Sequence, residues 1–397
     1  MIPFYKPFVD KKTEESVLKA LRSGWLSSGP LVREFEKEIK QYTGAQSAVC
    51  TGSAGMSLQL IFKKLGIGKG DEVILPAFTH PATANAVVLS GATPVFADIC
   101  ENDFCIDPYS VEQLITKNTK SIIGVDIAGF PCDYAELLKL SEENKSLFLP
   151  SSEMQKYFGR ISIIADASHS FGSEVSGKKS GTLADFSVFS FHAVKNLTTG
   201  EGAAICIHSQ DQDMCNEFTE FFTSARVHGL NADALIKLEN KTWEYDVDEP
   251  SGKSVMTDIA AAIGLCDIKR YDSIILPTRF KLFDYYNDQL ANDDRFLCPI
   301  ISENGKTGNG HLYILRLNGY LSTQRNQLMK TLYEKGIITN LQYVPIPLLK
   351  WYQSQGFTTK EIQKTMNVFE NCISLPIYHE LSEKEQLTVC NSLKAFY

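Results

Sequence analysis

Three stretches of this chain could converge on one reaction. FSFHAVKNLTTGEGAA (189–204) carries a single lysine, Lys195, after an aromatic, hydroxyl-bearing run and before Thr, Gly and Glu. A lysine becomes a useful nucleophile when desolvation or nearby positive character brings its pKa toward neutrality. IIADASHSFG (163–172) puts Asp166 at the end of an apolar run, where a carboxylate is costly to bury without a cationic or N–H partner. A protonated heterocyclic nitrogen would supply one. CTGSAGMS (50–57) is a Gly- and hydroxyl-rich turn whose backbone N–H groups and helix dipole suit a phosphate. Each has a plainer reading by itself: an exposed lysine, a helix N-cap, a tight turn. Together they match a recurring arrangement, in which a lysine binds pyridoxal phosphate as an imine and an aspartate keeps the pyridinium nitrogen protonated. The phosphate-binding patterns GxxxxGK[ST] and GxGxxG are both absent.

The elements that must position these residues follow from hydrophobic patterning. Residues 45–50, 72–78, 93–99, 120–127, 161–167, 185–191 and 203–207 read as short strands. Between the first two, Leu58, Ile61, Phe62 and Leu65 keep helical spacing, and PYSVEQLITKNT and DYAELLKLSEEN read likewise. Strand–helix alternation predicts an α/β fold with a mainly parallel sheet covered by helices on both faces. Ligands of such sheets sit at the strands' carboxyl ends, where Ser53, Asp166, Ser190 and Lys195 would meet. Residues 211–275 read as helix-rich. Near Leu276 the pattern changes: HLYILRLN (311–318), ITNLQYVPI (338–346) and CISLPIY (372–378) read as strands of a smaller α+β unit. The expected division is an N-terminal arm and large cofactor-binding domain over 1–275 and a small C-terminal domain over 276–397. SEENKSLFLPSSEMQKYFGR (141–160) reads as a surface insertion.

Composition narrows the field. The 397 residues are 44% hydrophobic with a net charge of -8, which argues against a nucleic-acid-gripping surface. No run approaches the roughly 20 apolar residues that cross a bilayer, and the N-terminus lacks a signal-peptide pattern. The ten cysteines are scattered without a CxxC, the pattern of reduced thiols in a cytoplasmic protein, and the seven histidines form no metal motif.

PAFTHPATANAV (76–87), ADASHSFGS (165–173), GKKSGTLADFSVFSFHAVKNLTTGEGA (177–203) and VMTDIAAAIGL (255–265) resemble the sugar-nucleotide aminotransferases of the DegT/DnrJ/StrS group, within fold type I of the pyridoxal phosphate enzymes. The resemblance runs nearly end to end. It implies that Lys195 anchors the cofactor and shuttles protons, that Asp166 pairs with the pyridinium nitrogen, and that His169 contacts the ring hydroxyl. It further implies that Ser190 and the backbone of Ser53 and Ala54 bind the phosphate, and that His80 stacks on the ring. The implied reaction moves an amino group from glutamate to a nucleotide-linked keto-sugar, with C4 of a 4-keto-6-deoxy sugar preferred, for surface glycans or related amino sugars. The alternatives are a C3-keto-sugar or cyclitol aminotransferase and a non-catalytic cofactor-binding regulator. A related sugar 3-dehydratase would carry His where Lys195 stands. The family also implies a homodimer with shared active sites, with Trp25–Pro30 and Arg226–Gly229 as candidate contributions to the partner. Val255 departs from the family's Asn or Arg, a cross-subunit phosphate ligand, and Lys253 or Ser254 are the candidates to replace it.

Overall fold

Seven of the short apolar stretches do join one sheet in a computed structural model that describes residues 1–396. They are β1 (Ser47–Thr51), β2 (Glu72–Pro76), β3 (Thr93–Ala97), β4 (Thr119–Val125) and β5 (Ser162–Asp166). A small ribbon, β6 (Glu174–Val175) and β7 (Lys178–Lys179), precedes β8 (Phe186–Ser190) and β9 (Ala203–Ile207). The spatial order is β1-β9-β8-β5-β4-β2-β3. Neighbours from β8 to β3 run parallel, while β9 is antiparallel to both β8 and β1.

Helices cover both faces: α1 (Lys11–Ser23), α2 (Pro30–Thr43), α3 (Ala54–Leu65), α4 (Pro81–Ser90), α5 (Pro108–Leu114), α6 (Tyr134–Glu143), α7 (Glu153–Phe158), α8 (Gln212–Ala225), α9 (Ala234–Glu239) and α10 (Asp258–Lys269). Strand alternation sends Val73 and Leu75 into one core, with Leu58, Ile61, Phe62 and Leu65 of α3, while Ile74 enters the other, with Phe35 of α2 and Leu265 of α10. Burial on both faces is why these strands read as continuous apolar runs. α3 is bounded as its sequence dictates. Ser53 caps its N-terminus, Oγ accepting from Met56 N at 3.4 Å, and Gly66 closes it in a left-handed conformation at φ 64°.

The remainder contains α11 (Leu276–Leu290), β10 (Phe296–Leu297), β11 (Ser302–Glu303), β12 (Lys306–Thr307), β13 (Tyr313–Leu317), α12 (Ser322–Glu334), α13 (Lys350–Ser354), α14 (Gln363–Asn371), β14 (Cys372–Leu375) and α15 (Glu383–Lys394). β10, β13 and β14 form an antiparallel sheet, backed by a core of Phe283, Tyr286, Leu328 and Val389. α11 continues directly from a π-helical turn, Tyr271–Ile275, with Pro277 in its first turn.

One expectation needs correction. ITNLQYVPI forms no strand: within it only Asn340 bridges, to Ser374, and Pro345 near its end cannot donate to a ladder. The stretch 141–160 does lie at the surface, with only Ser141 and Gln155 buried, but it is tied to the fold. It contains the end of α6 and all of α7, and Gln155, 2% exposed, donates Nε2–H to Gly66 O at 3.3 Å. Ser152 Oγ donates to Leu65 O at 2.9 Å, so the segment locks the C-terminal end of α3. Among the described residues, no helix is long and apolar enough to cross a membrane. Seven of the ten cysteines are buried thiols: Cys50, Cys105, Cys132, Cys206, Cys215, Cys372 and Cys390.

Candidate active site

A cavity of about 640 Å³ opens at the carboxyl ends of β4, β5 and β8, and all seven residues expected at the site line it: Ser53, Ala54, His80, Asp166, His169, Ser190 and Lys195. Asp166 and Ser190 are the last residues of β5 and β8. Lys195 stands one tight turn beyond Ser190, its N–H donating to His192 O at 2.9 Å. Its carbonyl accepts from the Tyr5 hydroxyl at 3.0 Å, so the N-terminal segment pins the lysine's backbone. Burial lowers the pKa of the amine to about 8, against the opposing pull of the Asp166 charge. The lysine is thus neutral in part near physiological pH, as a nucleophile must be.

The Asp166 carboxylate accepts from Thr83 Oγ1 at 2.7 Å and from Ser168 N at 3.2 Å. Ala54 and Gly55 line the cavity in the first turn of α3, where helix N–H groups lack intrahelical acceptors. The preceding Gly52 N–H is held by the carbonyl (3.0 Å) and hydroxyl (3.1 Å) of Ser254. His169 is buried, with Nε2 3.1 Å from the Tyr343 hydroxyl and Nδ1 without a partner among the described residues. Desolvation pushes its pKa well below the usual histidine range, with the Lys195 charge adding to the effect. His80 caps α4, Nδ1 accepting from Ala82 N at 3.2 Å, and meets the Tyr343 ring edge-on at 5.9 Å. Although His80 is largely exposed, desolvation where it borders the cavity moves its pKa down.

Other expected participants divide. Ser254 is buried and spent on Gly52, whereas Lys253 is exposed. Arg226 turns inward, paired with Glu36 and donating to Cys50 O at 2.7 Å, so its guanidinium is not offered to another chain. The Trp25–Pro30 segment leads into amides of Leu31 and Val32 that donate to the Asp258 carboxylate, both at 3.1 Å. Several lining residues were not singled out from sequence: Phe4, Tyr5, Thr83, His311 and Tyr343. Thr83 carried a usable signal, since it lies one helical turn from His80. Tyr343 and His311 carried none.

The cavity suits pyridoxal phosphate on this chain's own geometry. A part-neutral amine, a buried carboxylate with few donors, a helix N-terminus and an orphaned imidazole nitrogen border one space. Fold and site define the class: a type I pyridoxal phosphate enzyme, of the aminotransferase kind. The sequence model of the DegT/DnrJ/EryC1/StrS aminotransferase family matches residues 7–394, and the chain belongs to that family. It is 32% identical over 390 residues to the spore coat polysaccharide biosynthesis protein SpsC of Bacillus subtilis (strain 168), covering 97% of this chain and 94% of the relative. It is likewise 32% identical over 391 residues to the UDP-4-amino-4-deoxy-L-arabinose–oxoglutarate aminotransferase of Shewanella sediminis (strain HAW-EB3), covering 96% and 94%. Among solved structures, Spr1654 of Streptococcus pneumoniae, assigned as a sugar aminotransferase and determined in its PMP form, superposes with a TM-score of 0.95 at 38% identity, covering 100% of this chain and 99% of that one.

Proposed function

We propose that this sugar aminotransferase moves an amino group from glutamate to the keto carbon of a nucleotide-linked sugar, C4 of a 4-keto-6-deoxy sugar in the reading we favour. Glutamate leaves as 2-oxoglutarate, its new keto oxygen taken from one water, and the sugar's keto oxygen leaves as another. The observation that carries the reading is the common cavity shared by Lys195, Asp166 and the N-terminus of α3. The Shewanella relative, named for a 4-amino sugar and oxoglutarate, supports the C4 position and the donor.

In this reading Lys195 binds the cofactor covalently and afterwards holds and returns the migrating proton on Nζ. Asp166 keeps the pyridine nitrogen protonated, fixed in place by Thr83 and Ser168. Ser53, Ala54 and Ser190 hold the phosphate, His169 faces the ring hydroxyl, and His80 lies against the ring. Pyridoxal phosphate, when bound, supplies the amine-exchanging carbonyl and a ring that accepts the electron pair released from carbon. The chain works as a homodimer with shared active sites, and Lys253, exposed beside Val255, is available for a contact across it.

The test is a panel of nucleotide-linked 3-keto and 4-keto sugars assayed with glutamate, reading 2-oxoglutarate and amino-sugar formation. Turnover of 4-keto substrates is expected. Turnover confined to 3-keto sugars would overturn the C4 assignment. A yellow holoprotein whose spectrum glutamate leaves unchanged would overturn glutamate as donor.

A further inference from the structure

The parallel ladder of β5 and β8 ends at Asp166 and Val188, so beyond the packing of Phe171 on Phe189 and Phe191 no ladder hydrogen bond fixes the His169 loop against the Lys195 turn. One residue from a distant part of the chain touches both, its side chain holding the His169 loop and its backbone carbonyl the residue after Lys195. Asn309 is 1% exposed, and its Nδ2 donates to His169 O at 2.7 Å and to Phe171 O at 2.9 Å. Its Oδ1 accepts from His311 N at 3.1 Å. Its backbone carbonyl accepts from Nδ2 of Asn196, the residue after Lys195, at 3.0 Å. The His311 ring then closes a circuit. Nδ1 lies 3.3 Å from Asn196 Oδ1, and the ring centroid lies 4.6 Å from that of His169. Room for the amide is made by Gly129 at φ +89°, where a Cβ would fall 1.9 Å from Asn309 Oδ1. A fully satisfied buried amide is a rigid joint; without it Phe171 O keeps the Tyr271 hydroxyl at 2.6 Å, while His169 O loses the amide's 2.7 Å bond, which is costly in a buried place.

We propose that Asn309 is a positioning residue of the active site, setting the Lys195 turn against the His169 loop, with His311 and Asn196 as the second arm of the joint. The C-terminal part of the chain, rather than the central sheet, then fixes how the amine faces the groups that hold the cofactor. This rests on the reading of Lys195 as the cofactor-binding amine. Neither Asn309 nor Asn196 lines the cavity, so an effect on the chemistry must pass through the residues they hold.

The experiment compares wild-type holoenzyme with Asn309→Leu, Asn196→Ala and the double variant. Borohydride trapping of pyridoxal phosphate, followed by peptide mass analysis, first asks whether Lys195 is labelled in the wild type. Label elsewhere overturns the underlying reading and the proposal with it. With Lys195 labelled, each variant is expected to shift the pH midpoint of the bound cofactor's absorbance. Each should also lower kcat about tenfold while KM for glutamate stays within about threefold, as a misplaced catalytic group does. The double variant should be little worse than the worse single one, since both break one joint. Should Asn309→Leu fail to fold, Asn196→Ala decides by itself, because it breaks only the arm to the lysine turn. A folded Asn196→Ala with unchanged midpoint and kcat would overturn the proposal.

Discussion

Asp126 and Asp166 occupy equivalent places at the ends of neighbouring strands, yet the fold uses them differently. Asp166 ends β5, Asp126 follows β4, and Asp126 N donates to Asp166 O at 3.2 Å. Both are buried, at 0% and 6% exposure. Asp126 is saturated from within: Oδ1 accepts from Tyr134 Oη at 2.7 Å and from Cys132 N at 3.0 Å, and Oδ2 from Ser170 Oγ at 2.5 Å. Among the described residues Asp166 receives only Thr83 Oγ1 and Ser168 N, and it borders the cavity. A carboxylate whose lone pairs are filled by its own chain is structural. One left with spare acceptor capacity at a cavity is kept for a ligand.

Exchanging the two losses is the strongest way to break this contrast. Asp166→Ala is expected to lower kcat/KM by roughly a thousandfold, about 4 kcal/mol of transition-state stabilisation, with little change in Tm. Asp126→Ala should do the reverse, removing about 3 kcal/mol of stability by stranding three buried donors, as read by urea denaturation. If Asp126→Ala cost only activity, or Asp166→Ala only stability, the distinction would fail.

A subtler effect follows from protonation. Burial holds the Asp126 pKa up at about 6, although its donors pull the other way. An acid whose folded pKa exceeds its unfolded value binds more protons in the native state between the two. Stability contributed there is fully present below the ordinary aspartate value of 3.8 and is lost as pH rises to about 6. Asp126→Asn keeps an acceptor for Tyr134 and Cys132 but cannot ionise. Its difference from wild type in denaturation midpoint should therefore change across that pH window and stay constant above it. A constant difference throughout would show that Asp126 does not titrate there.

These two residues also mark how far the sequence could be read. Both close apolar strand stretches, KSIIGVDI and ISIIADA, and no local pattern separates them. The separation is made by Ser170 and Tyr134, which reach Asp126 through the fold. The seven sheet strands were legible because burial on both faces leaves continuous apolar runs, and Lys195, Asp166 and Ser53 because they sit where such runs end or a helix begins. Tyr343, Asn309 and His311 were not. They enter from segments without periodicity, and Tyr343 lies in a stretch whose apolar residues imitate a strand, although Pro345 near its end cannot join a ladder. Gln155 was missed for a related reason: a polar surface pattern gave no hint that one amide turns inward.

The smallest expected effect sharpens the contrast most. Thr83→Val keeps the shape of a buried side chain but removes the hydroxyl that donates to Asp166 Oδ2 and contacts Thr79 Oγ1 at 3.1 Å. If Asp166 is held mainly by its ligand, the loss is one net hydrogen bond, about 1 kcal/mol or roughly fivefold in kcat/KM. Thr83→Ser, which restores the hydroxyl, should recover most of it. A thousandfold loss in Thr83→Val would mean that Asp166, like Asp126, depends on its own chain for its placement, and that the cavity inherits a carboxylate already fixed by α4.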